Sequence, residues 1–112
     1  TGFEIDDATG LLKSVTMNGQ TLEIKQEFIF YYGFNGDNNG EDNAASGAYI
    51  FRPLVNEANI VADSVSVTST TGTLVDEVRQ QFNDWITQII RVYKDEGNNY
   101  IEFDWLVGPI EV

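Results

Sequence analysis

Hydrophobic and polar residues alternate along most of this chain, and alternation is what strands that bury one face require. Phe3 and Ile5 alternate with Glu4 and Asp6, then Asp7-Ala8-Thr9-Gly10 supplies turn chemistry. A second strand follows, with Leu11, Lys13, Val15 and Met17 on one side and Leu12, Ser14 and Thr16 on the other. Asn18-Gly19 comes next, the pair that most readily takes the positive φ angles of a two-residue hairpin turn, and Leu22 and Ile24 alternate beyond it. Glu27 to Phe34 is the most aromatic stretch. It has Phe28, Phe30, Tyr32 and Phe34 on one side and Ile29 and Tyr31 on the other, which predicts a strand buried on both faces. Ser46 to Pro53 reads as a short strand in which Tyr49 and Phe51 face away from Ala48, Ile50 and Arg52. Pro53 ends it, because it has no amide hydrogen for a further ladder bond.

Leu54 to Ile60 is irregular. Val61 to Thr70 is rich in Val, Ser and Thr and predicts a strand with Val65 and Val67 on one side, closed by the turn Thr70-Thr71-Gly72-Thr73. Two periods then compete. Leu74, Val78, Phe82, Trp85, Ile86, Ile89, Ile90 and Tyr93 fall at intervals of three and four, the stripe of an amphipathic helix from Leu74 to Lys94. Strand alternation also exists there, through Val78, Gln80 and Phe82 and through Ile86, Gln88, Ile90 and Val92, if a bulge or short turn lies near Asn83-Asp84. Counting alone favours the helix. After the turn Asp95-Glu96-Gly97-Asn98-Asn99, Ile101, Phe103, Trp105 and Val107 alternate with Tyr100, Glu102, Asp104 and Leu106 in the clearest strand of all, which Gly108-Pro109 ends.

Composition narrows the function. With 112 residues, 42% of them hydrophobic, the chain can enclose one core, so 1–112 is expected to be a single domain. Six Lys plus Arg against eighteen Asp plus Glu give a formal charge of -12, which repels phosphate backbones and anionic lipid, so neither nucleic acid nor a membrane is an expected partner. There is no cysteine for a disulfide or a thiolate ligand, and no histidine, the commonest metal ligand and neutral-pH general base. The abrupt ends, Thr1 and Val112, suggest a piece of something longer.

Few residues offer chemistry of their own. Asn35 to Ala45 is a polar loop in which Asp37, Asn39 and Glu41 alternate. A calcium loop would need Gly at the sixth position and Glu at the twelfth, where this chain has Asp42 and Ala48, so a flexible surface loop is the expectation. Glycoside hydrolysis uses two carboxyl groups, but eighteen scattered acids single out no pair. Glu102 and Asp104 share a strand face, either as a close like-charged pair or as a solvated surface. Of the aromatics Tyr31, Tyr32, Tyr49, Trp85 and Trp105, which could stack on sugar rings, Tyr49 stands out because it follows a loop and precedes a proline. The alternative is a buried tyrosine whose hydroxyl finds a partner.

Several blocks, taken in order, resemble one family. Asp6-Asp7-Ala8-Thr9-Gly10-Leu11-Leu12-Lys13-Ser14-Val15 with Asn18-Gly19, then Ser46-Gly47-Ala48-Tyr49-Ile50-Phe51-Arg52-Pro53, then Val75-Asp76-Glu77-Val78 with Gln81-Phe82, then Arg91-Val92-Tyr93-Lys94 and Gly108-Pro109-Ile110 look like the lysosomal-type α-mannosidases of glycoside hydrolase family 38. The resemblance runs from Phe3 to Val112, broken mainly at Asn35 to Ala45 and Leu54 to Thr73. Arg79 stands where relatives often have His, and Glu111 where they often have Pro.

In that family a zinc-bearing catalytic domain precedes β-rich domains, and a retaining mechanism releases terminal non-reducing α-D-mannose from N-linked glycans. The resemblance therefore implies an all-β, antiparallel β-sandwich that is part of a larger multidomain enzyme, C-terminal to the catalytic domain. It implies strand rather than helix from Leu74 to Tyr93. It also implies that the zinc ligands and the aspartate nucleophile lie outside this chain, which alone would be inactive. Tyr49 resembles a tyrosine near the mannose pocket and is carried over as a substrate-side contact. The implied partners are the catalytic domain or other peptides of the same enzyme and a mannose-containing glycan, in a lysosomal or secreted setting. A free-standing carbohydrate-binding module and a purely structural domain are the alternatives.

Overall fold

The structure is a computed structural model that describes residues 1–110, apart from the side chain of Glu41. Glu111, one of the two departures from the family pattern, lies outside the described residues. The strands are, in order, β1 (Gly2–Ile5), β2 (Leu12–Met17), β3 (Gln20–Glu23), β4 (Ile29–Phe30), β5 (Asn59–Ile60), β6 (Ser66–Thr71), β7 (Val75–Asn83), β8 (Ile86–Tyr93) and β9 (Glu102–Val107), with a 3-10 turn over Glu41–Asn43 between β4 and β5. Every strand pairing is antiparallel, so the chain is all-β. It forms two compact units: Thr1–Glu27 with Ala62–Val112, and Phe28–Val61.

The first unit holds a three-stranded sheet, β1-β2-β3, and a four-stranded sheet, β6-β7-β8-β9. The β2–β3 hairpin turns on Asn18 and Gly19, whose φ angles of 52° and 77° suit the tight two-residue turn that their sequence signals. Segment 75–93 is two strands, as the family resemblance implied and the helical count did not. The register shifts between Gln81 and Asn83, and the chain reverses over Asp84-Trp85, with the Trp85 amide donating to Asn83 Oδ1 at 2.9 Å. Strict alternation then buries Val78, Gln80 and Phe82 on β7 and Ile86, Gln88 and Ile90 on β8, all on one face. Leu12 and Ser14 of β2 are buried in the same unit, and Phe3 and Ile5 of β1 line a cavity together with Ser69, Val78 and Val92. The arrangement is sandwich-like.

Polar groups tie the two sheets together. The Gln26 and Gln80 side-chain amides bond reciprocally at 2.9 Å in each direction, and Gln80 Nε2 also donates to the Gly10 carbonyl at 2.9 Å. Gln26 Oε1 accepts from the Leu12 amide at 2.6 Å. The chain crossing beside them is close: the Val65 amide donates to the Thr9 carbonyl at 2.7 Å. A Cβ at Gly10 would collide with the Val65 carbonyl, and Gly10 has a φ of 76°, so both space and conformation call for glycine there. Asp6 closes the turn that leads in. Its Oδ1 accepts from the Thr9 and Ala8 amides at 2.9 Å each, and these bonds hold its carboxyl below the usual carboxylate range.

The second unit, Phe28–Val61, is mostly irregular, and two expectations fail in it. Only Ile29 and Phe30 of the aromatic stretch form a strand, paired with Ile60 and Asn59. Phe28, Phe30 and Phe34 are half-buried, whereas Ile29 and Tyr32 are exposed, so the stretch is not buried on both faces. A pairing of two strands of two residues each can bury little on either face. Ser46 to Pro53 is not a strand either. The Gly47 amide donates to the Ile50 carbonyl at 2.9 Å and the chain reverses over Ala48-Tyr49. Val61 to Thr70 is strand only from Ser66 onward.

Candidate functional site

The residue singled out by sequence, Tyr49, lies at the tip of that reversal and is 100% exposed. Within this chain, then, Tyr49 is not the buried tyrosine of the alternative reading. Below the tip the two arms are fastened. The Ser46 amide donates to the Phe34 carbonyl and the Phe34 amide to the Arg52 carbonyl, both at 2.9 Å, and the Arg52 amide reaches Ser46 Oγ at 3.1 Å. Arg52 does more than precede a proline. Its guanidinium lies 4.0 Å from the Phe34 ring centroid and donates to the carbonyls of Ala44 at 2.7 Å and Asp42 at 2.9 Å. A planar cation over an aromatic face is attractive, and here it also anchors the end of the polar loop.

That loop is not free-running. The Asn38 amide donates to the Asn43 carbonyl and the Ala45 amide to Asn38 Oδ1, both at 2.8 Å, while the Asn39 amide occupies Asp37 Oδ1 at 2.9 Å. Phe51, beside the tip, is exposed yet packs edge-on against Tyr31, with ring centroids 5.2 Å apart. The tip thus presents one unobstructed aromatic ring on a tethered base, a form suited to stacking on an apolar sugar face.

A second cluster lies in the other unit, on the face of the four-stranded sheet opposite the core. Arg91 donates to Glu77 Oε2 at 3.0 Å, Glu102 Oε1 at 2.9 Å and Asp104 Oδ2 at 3.1 Å, and the Tyr93 hydroxyl donates to Glu102 Oε1 at 3.0 Å. Glu102 and Asp104, expected as a like-charged pair or a solvated face, are bridged by one guanidinium. The register explains it, since Glu77, Arg91 and Glu102 lie directly across from one another. Hydrogen bonds to Glu102, Asp104 and Glu77 raise the Arg91 pKa, and the bond to Glu102 raises that of Tyr93. An arginine locked to three carboxylates organises a surface and has no proton to give. Arg79, the other departure from the family pattern, is exposed on β7.

Among the described residues, no three His, Cys, Asp or Glu side chains come together as metal ligands, and the sequence has neither His nor Cys. The residues present do not fit a zinc site. Sequence reasoning missed the Arg52 anchor and the Arg91 bridge, because each depends on which segments become neighbours.

Comparison with known proteins gives these features a context. Residues 2–111 match the model of the glycosyl hydrolases family 38 C-terminal domain. The chain is 40% identical over 109 residues to the lysosomal alpha-mannosidase of Mus musculus, covering 96% of this chain and 10% of that protein. It is 44% identical over 105 residues to the alpha-mannosidase of Canavalia ensiformis, covering 91% of this chain and 10% of that one. The lysosomal alpha-mannosidase of Homo sapiens is 40% identical over 109 residues, again with 96% and 10% covered. The chain therefore spans about a tenth of the length of these relatives. With the match running through nearly all of its residues, the chain belongs to glycosyl hydrolase family 38, as part of that family's C-terminal domain.

Proposed function

We propose that this segment is non-catalytic, supports the catalytic domain of a zinc-dependent, retaining α-mannosidase, and walls part of its mannose pocket through Tyr49. The enzyme would remove terminal non-reducing α-D-mannose from N-linked glycans, with zinc and nucleophile supplied by other parts of the polypeptide. The observation that carries this reading is a family 38 match across residues 2–111 in a chain without His or Cys. A lysosomal or secreted setting agrees with the names of the mouse and human relatives. Full exposure of Tyr49 on a tethered base supports the pocket-wall role.

The same exposure favours a second reading, a carbohydrate-binding module that acts alone, and one pair of measurements separates the two. In the complete polypeptide, Tyr49→Ala is expected to raise KM for an aryl α-mannoside roughly five- to tenfold with kcat nearly unchanged, the loss of one aromatic contact made equally in ground and transition states. The isolated chain, titrated with methyl α-mannoside and followed by tryptophan fluorescence, is expected to give no saturable change. Saturable binding by the isolated chain that Tyr49→Ala abolishes supports the module instead, and an unaltered KM removes Tyr49 from the pocket.

A further inference from the structure

We propose that the outer edge of β9 accepts an added strand of alternating apolar and basic residues, supplied by another segment of the same α-mannosidase polypeptide; this rests on the reading above. β9 pairs with β8 on one side, and among the described residues no strand pairs with its other side. The register says which groups face outward. The Gly108 amide donates to the Trp85 carbonyl at 2.8 Å, one step beyond the Ile86–Val107 pair. Hydrogen-bonded and non-bonded pairs alternate in an antiparallel ladder, so Leu106, Asp104 and Glu102 spend their backbone groups on β8. Phe103, Trp105 and Val107 hold theirs toward the open edge.

The side chains of the same strand describe the partner. Phe103, Trp105 and Val107 lie across from Ile90, Gln88 and Ile86, on the core-facing side of the sheet, yet they are 43%, 62% and 38% exposed. The apolar layer that covers β7 and β8 stops short of them. On the opposite face Glu102 and Asp104 share the single guanidinium of Arg91 with Glu77, which leaves an excess of negative charge. An incoming strand would therefore place apolar residues opposite Phe103, Trp105 and Val107. It would place Lys or Arg opposite Glu102 and Asp104, where non-bonded pairs on the new side bring side chains closest.

Charge chooses the source. A second copy would set one chain of formal charge -12 against another. The relatives, by contrast, are about ten times longer than this chain and offer ample further polypeptide. The opposite edge, β6, lacks the apolar lure: it is Ser-Val-Thr-Ser-Thr-Thr. β9 carries no lysine, proline or bulge to protect its edge, and its two acids, Glu102 and Asp104, are held by Arg91.

The test is amide-resolved hydrogen exchange on the 112-residue chain and on the complete polypeptide. The Phe103, Trp105 and Val107 amides are expected to exchange on the order of a hundredfold more slowly in the complete polypeptide. Trp105→Pro removes one outward N–H and leaves the ladder to β8 whole. It should abolish that extra protection at Phe103 and Val107, whereas Trp105→Val should keep most of it. Asp104→Lys should reduce it about tenfold, the loss of one favourable charge contact. Equal exchange in both forms, protection that grows with the concentration of the short chain, or indifference to Trp105→Pro would overturn the proposal. Mannoside hydrolysis read in the same samples separates the two ideas. Hydrolysis without edge protection sinks the added strand alone, and edge protection without hydrolysis sinks the α-mannosidase reading.

Discussion

Ile90→Ala is expected to lower the unfolding free energy of this chain by about 3 kcal/mol, within the range of roughly 2–5 found for deleting a fully buried branched side chain. Ile90 is 0% exposed, at the middle of β8, between Val78 on β7 and Phe103 on β9. Three methyl-sized groups would vanish where neighbours on both flanking strands cannot move in without breaking register. Thermal unfolding should fall by on the order of 15 °C. The same row contains its own control. Phe103 lies directly across from Ile90 but on the edge, so Phe103→Ala should cost only about 1–2 kcal/mol in the isolated chain. Urea unfolding of both variants checks the contrast, and equal costs would mean that the core does not lie where the sheet register puts it.

Gln80→Leu is the second large effect, about 2–3 kcal/mol, and its origin is different. Gln80 is 0% exposed and serves three bonds: to the Gly10 carbonyl and, reciprocally, to the Gln26 amide. Leucine fills similar space and strips the buried Gly10 carbonyl and the half-buried Gln26 amide nitrogen of their Gln80 partners, while Gln26 Oε1 keeps the Leu12 amide. Adding Gln26→Leu removes the unpaired Gln26 amide and costs the Leu12 amide its acceptor in the single and the double variant alike, so the double variant should be more stable than the sum of the single losses by about 1–2 kcal/mol. A double-mutant cycle in urea measures that coupling. Additivity within about 0.3 kcal/mol would mean that the amide pair does not hold the two sheets together.

These two positions also explain what the sequence hid. Val78, Phe82, Ile86 and Ile90 are spaced by four, a multiple of the strand period of two and close to the helical period of 3.6. Of the intervening even positions, 80 and 88 carry buried glutamines and 84 is Asp84 in the turn. A count of apolar residues scores those amides as polar, so the alternation that would have revealed two strands is broken where the core is most specific. The Asn18-Gly19 hairpin and β9 were legible because their signals are local. Glu27 to Phe34 and Ser46 to Pro53 misled for the opposite reason. Aromatic density reads as core even where, as at Tyr49 and Phe51, the rings stay exposed in the folded chain. Tyr49 stands out by its place between a loop and a proline and is carried over by family likeness, while its exposure comes from the turn that Gly47 and Ile50 close.

The central claim is that this segment completes an α-mannosidase without performing its reaction, and turnover by the purified 112-residue chain tests it most directly. Incubated with p-nitrophenyl α-D-mannopyranoside and zinc, the chain is expected to release no nitrophenol above the buffer rate, while the complete polypeptide hydrolyses the same substrate. Hydrolysis by the short chain that co-purifies with it and scales with its concentration would contradict the account.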